Sequence, residues 1–198
     1  MSGELGACLL FYLKHFADME TFHDAGWEPP KGIAPDEWKR VCGVIGRAKS
    51  QATWLLRRLQ VRVMEAIGSK RCYKYDQKQS LTRDWNIQIQ LKSETEYRSW
   101  MTCGIALDAP EDGDGRLFFY LQPNDQRKGK QGRLMAQLAA AGRRPIAANG
   151  KWPAGCVILD QLPVASATTE EFCAEWAERV ARESILAHWE LLETVGKS

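Results

Sequence analysis

The stretch from Pro35 to Gly68 constrains this chain most, because both ends and one whole face of a long helix are written into it. Pro35 suits the first helical position, where its missing N–H costs nothing, and Asp36 and Glu37 follow at the positive end of the helix dipole. Gly68 supplies the stop. At about 100° per residue, Trp38, Val41, Ile45, Ala48, Ala52, Leu55, Leu56, Leu59, Val63, Ala66 and Ile67 fall within an arc of about 120°. A stripe of that width needs a sheet or another helix laid along it. Gly43 and Gly46 permit a bend without forcing a break.

Downstream the hydrophobic period changes to two. Trp85, Ile87, Ile89 and Leu91 alternate with Asn86, Gln88, Gln90 and Lys92, which predicts a half-buried strand. Residues 100–107 repeat the pattern, with Met101, Cys103, Ile105 and Leu107 on one face. A hairpin connection over 108–115 leads to a strand at 116–122 that is apolar on both faces, and so central in its sheet. A basic loop over 123–132, a helix at 134–141 stopped by Gly142, and strands at 145–148 and 155–159 flanking Asn149-Gly150 complete this part.

Both termini read as helical. Ser2 caps a pattern of Leu5, Leu9, Leu13 and Phe16 that runs to about Met19, and the Pro/Gly stretch 26–35 ends it. Thr168-x-x-Glu171 has the form of a capping box opening a last helix from about Thr169 to Glu193. The order α-α-β-β-β-α-β-(β)-α predicts one α+β domain over 1–198, divided into a helical region (1–68), a sheet core (70–164) and a C-terminal helix (168–195). The sheet is expected to be small, mostly antiparallel and covered by the long terminal helices. A chain of 198 residues is long enough to bury such a core.

The formal charge of +2 conceals five blocks of alternating sign. Residues 1–37 carry −5, 38–83 carry +10, 84–122 carry −4, 123–151 carry +6 and 152–198 carry −5. A field as strong as that of the second block attracts phosphate or acidic protein surface. On the helical wheel, Arg40, Arg47, Arg58 and Arg62 lie within about 60° of one another, with Gln51 between them and Trp54 at the border. Arg suits bidentate phosphate contact, and an aromatic neighbour stacks on a base or a guanidinium. Lys70, Arg71 and Lys74 follow, interleaved with Tyr73 and Tyr75. Arg127, Lys128 and Lys130 form a second basic cluster just before a helix N-terminus, where an anion is favoured.

These residues lead to a non-enzymatic binding protein that engages nucleic acid or a nucleoprotein through a basic helical surface. Small phage or mobile-element proteins that interfere with host nucleic-acid machinery fit that profile. The competing expectation is an interaction or oligomeric module whose charge blocks match an acidic protein partner or a second copy of the chain. The plainest structural reading is a solvated helix face whose Arg residues pair with the acidic blocks at 1–37 and 152–198.

No catalytic residue, metal or cofactor is read from the chain. Its element order is also that of restriction-endonuclease-like folds, which need converging acids and an (E/D/Q)xK triplet on the third strand. The similar triplet here, Gln90-Leu91-Lys92, sits on the first predicted strand, and the third strand carries neither acid nor Lys. Asp108, Asp112 and Asp114 lack the ligand spacing of an EF-hand. His15 and His23 are eight apart, which puts them about 80° apart on a helix, too far for one zinc. The six Cys are at least 17 residues apart, so neither a CxxC metal pair nor a compact disulfide framework is present. Reduced, buried thiols and a cytoplasmic protein are expected. The apolar run Ala7–Leu13 is too short for a membrane span and lacks the basic start of a signal peptide.

Overall fold

Helix α1 spans Pro35–Ile67, the 33 residues between the proline and the glycine that mark its ends. Gly68 closes it with φ +92°, its N–H donating to the Met64 carbonyl at 2.8 Å. The computed structural model describes residues 34–74, 86–95, 98–108, 115–124, 129–147, 156–167 and 169–197. The predicted N-terminal helix, residues 109–114 of the predicted hairpin connection and the Asn149-Gly150 turn lie outside them.

After α1 come β1 (Cys72–Lys74), β2 (Asn86–Lys92), β3 (Ser99–Asp108) and β4 (Arg116–Pro123). Helix α2 (Lys130–Ala140), β5 (Ile146–Ala147) and β6 (Val157–Pro163) follow. Helix α3 (Glu170–Val180) continues through a π segment at Ala181–Ile185 and a 3-10 turn at Leu186–His188 into α4 (Trp189–Lys197). The strands form one open antiparallel sheet in the order β1-β2-β3-β4-β6-β5. The chain is α+β, as expected, and the strand that is apolar on both faces is central.

Alternation decides what each strand buries. The register aligns Ile89 with Cys103, Cys103 with Leu121, and Leu121 with Val157. These join one core with Ala52, Leu55, Leu56, Leu59 and Val63 of α1 and Leu134 and Leu138 of α2. Cys173, Ala177 and Val180 of α3 and Leu192 and Val195 of α4 belong to the same core, so the described helices share one side of the sheet.

The other side is less polar than the pattern implies. Gln90 and Thr102 are buried there with Ala106, Phe118, Tyr120 and Ile158. Gln90 accepts hydrogen bonds from Ser99 and Asn124, and Thr102 donates to Asn124, which satisfies these buried polar groups. Tyr120 crosses directly over Gly104, where a Cβ would overlap both the tyrosine ring and the Ile87 carbonyl.

Several boundaries differ from expectation. β6 runs on to Pro163 where a strand at 155–159 was expected. The last helix is interrupted by the π segment and the 3-10 turn and reaches Lys197 rather than Glu193. β1 was not anticipated; its three residues are too few to show a period. Helix α2 begins four residues early, at Lys130, because Gly129 in the left-handed region starts it and accepts from the Arg133 N–H at 3.0 Å. The cap of α3 is Thr169 rather than Thr168, its Oγ1 accepting from the Phe172 N–H at 3.1 Å. Two adjacent threonines offer equivalent caps, and the local sequence does not choose between them.

Candidate functional site

The outward side of α1 meets α3 along a charged seam. Arg58 Nη1 donates to Glu170 Oε2 at 3.0 Å and its Nη2 to Glu171 Oε2 at 2.6 Å. Arg62 Nη2 donates to the other oxygen of Glu171 at 2.9 Å and lies 3.7 Å from Glu178. Glu178 also receives two bonds from Arg182, one helical turn on. The Arg58 guanidinium sits over the Trp54 ring, 5.5 Å from its centroid. Helix α1 carries seven Lys and Arg against three Asp and Glu, whereas residues 170–197 carry three against seven. Two of the sequence's opposite charge blocks therefore meet inside the molecule, where Arg58 and Arg62 pair with Glu170, Glu171 and Glu178.

Each of these pairs keeps roughly a third to a half of its side-chain surface in water. Exposed ion pairs contribute about 0.2–1 kcal/mol each, so the seam orients the helices more than it holds them. It also means that Arg58 and Arg62 reach a phosphate only by giving up a carboxylate.

The remaining predicted residues are scattered. Arg40 and Gln51 are exposed on α1, and the Arg47 side chain lies outside the described residues. Lys70 is exposed just before β1, and Lys74 is exposed as its last residue. Arg71 is half-buried, donates through Nε to Glu94 at 3.0 Å and lies over the Trp189 ring at 5.3 Å. Arg127 and Lys128 lie outside the described residues. Lys130 is turned inward: it is buried, and its Nζ donates to the Gly196 carbonyl at 3.2 Å near the end of α4. An anion-binding role for Lys130 is thus replaced by a link between α2 and α4.

Trp54 was expected at the border of the Arg stripe, whereas Val61, Arg57 and Phe172 escaped the sequence reading. Trp54 and Val61 are about half exposed, at 50% and 52%. Seven residues apart, they stand about 20° from each other on the helical wheel, with Arg58 about 40° beyond Trp54. Arg57 is exposed on the same side, with no ion pair among the described residues. Phe172, next to Glu171 on α3, is also exposed. The signal for Val61 was available, since it is an apolar residue outside the apolar arc.

Among the described residues no group of three or more His, Cys, Asp or Glu is arranged to hold a metal ion. Gln90 of the nuclease-like triplet is buried and hydrogen-bonded as above. Cys72, Cys103, Cys156 and Cys173 are free and buried. Burial pushes the Cys72 and Cys173 thiols up to about 11 and that of Cys156 to about 12, and raises Cys103 as well. Thiols so far from ionising are poor nucleophiles. No described helix is long and apolar enough to cross a membrane. No family model matches this chain, and no curated protein or solved structure matches it either.

Proposed function

We propose that this protein is a non-catalytic interaction module that holds an acidic protein partner against the outer side of α1. One observation carries the reading: Trp54 and Val61 expose large apolar surface on the face that also presents Arg57 and Arg58. Aromatic and Arg residues surrounded by charge are the composition of energetically dominant interface positions. Arg57, which has no ion pair among the described residues, supplies a cation for an acidic partner, while Trp54 and Val61 supply contacts that a phosphate backbone does not reward. Of the stripe that would grip a phosphate backbone, Arg58 and Arg62 already have carboxylate partners.

A photo-crosslinking residue introduced at position 61 tests this in the producing cells. The expected adduct is destroyed by protease, resists nuclease and disappears when Trp54→Ala and Arg57→Glu are added. A nuclease-sensitive adduct would restore the nucleic-acid reading. An adduct of twice the chain's mass would make the partner a second copy.

A further inference from the structure

Away from that face, Arg71 and six consecutive residues of the C-terminal helical segment line an open cleft of about 450 Å³. Its walls are Arg71, Leu186, Ala187, His188, Trp189, Glu190 and Leu191. A regular helix at about 100° per residue would spread six successive side chains around its whole circumference. Here the π segment at Ala181–Ile185 and the 3-10 turn at Leu186–His188 interrupt that regularity just before α4. Such π insertions are frequent at functional sites. The volume falls within the range of small-molecule sites, which runs from about 300 to 1,000 Å³.

The polar group at this cleft is fixed in place. The Arg71 N–H donates to the Gly68 carbonyl at 3.0 Å, and its own carbonyl accepts from the Lys92 N–H at 2.9 Å. Its Nε is held by Glu94 and its guanidinium plane lies over Trp189. Nη1 and Nη2 make no hydrogen bond among the described residues, so one edge of a pre-oriented fork remains open. That edge matches the two oxygens of a carboxylate. Glu94 and Glu190 stand close by, and their charge disfavours a phosphate dianion more than a monoanion. Leu186, Leu191 and the Trp189 ring offer apolar surface for the rest of the ligand. We infer that this cleft binds a small monocarboxylate with an apolar body.

The test is an NMR titration of the ¹⁵N-labelled protein, following the Trp189 indole N–H assigned with Trp189→Phe. The probes are benzoate and hexanoate, their neutral counterparts benzyl alcohol and 1-hexanol, and inorganic phosphate. The carboxylates are expected to give saturable shifts, with the alcohols and phosphate binding about tenfold or more weakly. Arg71→Gln is expected to lose the preference for acid over alcohol, and Arg71→Lys to keep part of it. Should Arg71→Gln unfold early, the acid–alcohol comparison on the unaltered protein decides alone. Absence of a saturable carboxylate shift, equal binding of acid and alcohol, or phosphate binding as tight as benzoate would each overturn the inference. None of these residues lies on the outer side of α1, so failure here leaves the proposed interaction face standing.

Discussion

Leu59 and Arg62 sit three residues apart on α1, yet Leu59 is wholly buried while Arg62 keeps 36% of its side chain in water. The inner side of the helix is held by burial, which contributes about 1.5–3 kcal/mol for each large apolar side chain. The outer side is held by ion pairs whose members remain hydrated, at about 0.2–1 kcal/mol each. Leu59 packs against whatever apolar surface it meets. Arg62 has a choice among Glu171, Glu178, water and an external anion, and the differences between those partners are small. One side thus fixes the fold, and the other is free to carry recognition.

The largest expected effect lies on the inner side. Leu59→Ala removes a fully buried side chain and should cost about 2–5 kcal/mol by urea denaturation. A loss under about 1 kcal/mol would show that α1 is not anchored where its stripe says it is.

Next comes the sheet that the helix covers. Gly104→Ala forces a methyl group into the Tyr120 ring and the Ile87 carbonyl, and overpacking of this kind costs about 1–3 kcal/mol. The companion change Tyr120→Phe relieves little of it, because the ring itself is in the way. Partial rescue by Tyr120→Ala, measured against the Tyr120→Ala single variant, would confirm the ring's share of the collision, with the Ile87 carbonyl accounting for the rest.

The outer seam should respond far less. A double-mutant cycle between Arg58→Ala and Glu171→Ala is expected to give a coupling of about 0.2–1 kcal/mol, falling as salt approaches ~1 M. A coupling above about 2 kcal/mol that ignored salt would erase the contrast between the two sides.

The smallest effect separates a third kind of polar contact. Glu193 is held below the usual carboxylate range, first by the Ser93 hydroxyl and then by Lys197. Its contribution is therefore fully present above the ordinary carboxylate pKa and is lost as pH falls through that value towards the lowered one. Glu193→Gln should lower the neutral plateau slightly and flatten the acid limb, so that the two stability–pH curves converge at low pH.

Much of the architecture was legible because period and punctuation agreed. Ile87, Ile89 and Leu91 announced their face by alternation, and Gly68 announced the end of α1. The charged seam was only half legible. Opposite blocks at 38–83 and 152–198 announced a possible match, but nothing in the chain says that Arg58 faces Glu171 across 113 positions of sequence. Lys130 misled for a related reason, since a basic residue beside two glycines reads as a loop until the start of α2 turns it inward. Gln90 misled because alternation marks a face as polar without saying whether water reaches it.

What the sequence determined by itself is everything set within one turn or one pleat: helix ends, strand faces and the side of α1 that must be covered. Those follow from local sterics and from apolar area that has no good alternative to burial. Only the tertiary structure decided which charges cancel, which aromatics stay in water, and that the break before α4 brings Arg71 onto Trp189. Such choices turn on contacts between residues far apart in the chain, each too weak alone to leave a mark on the local pattern.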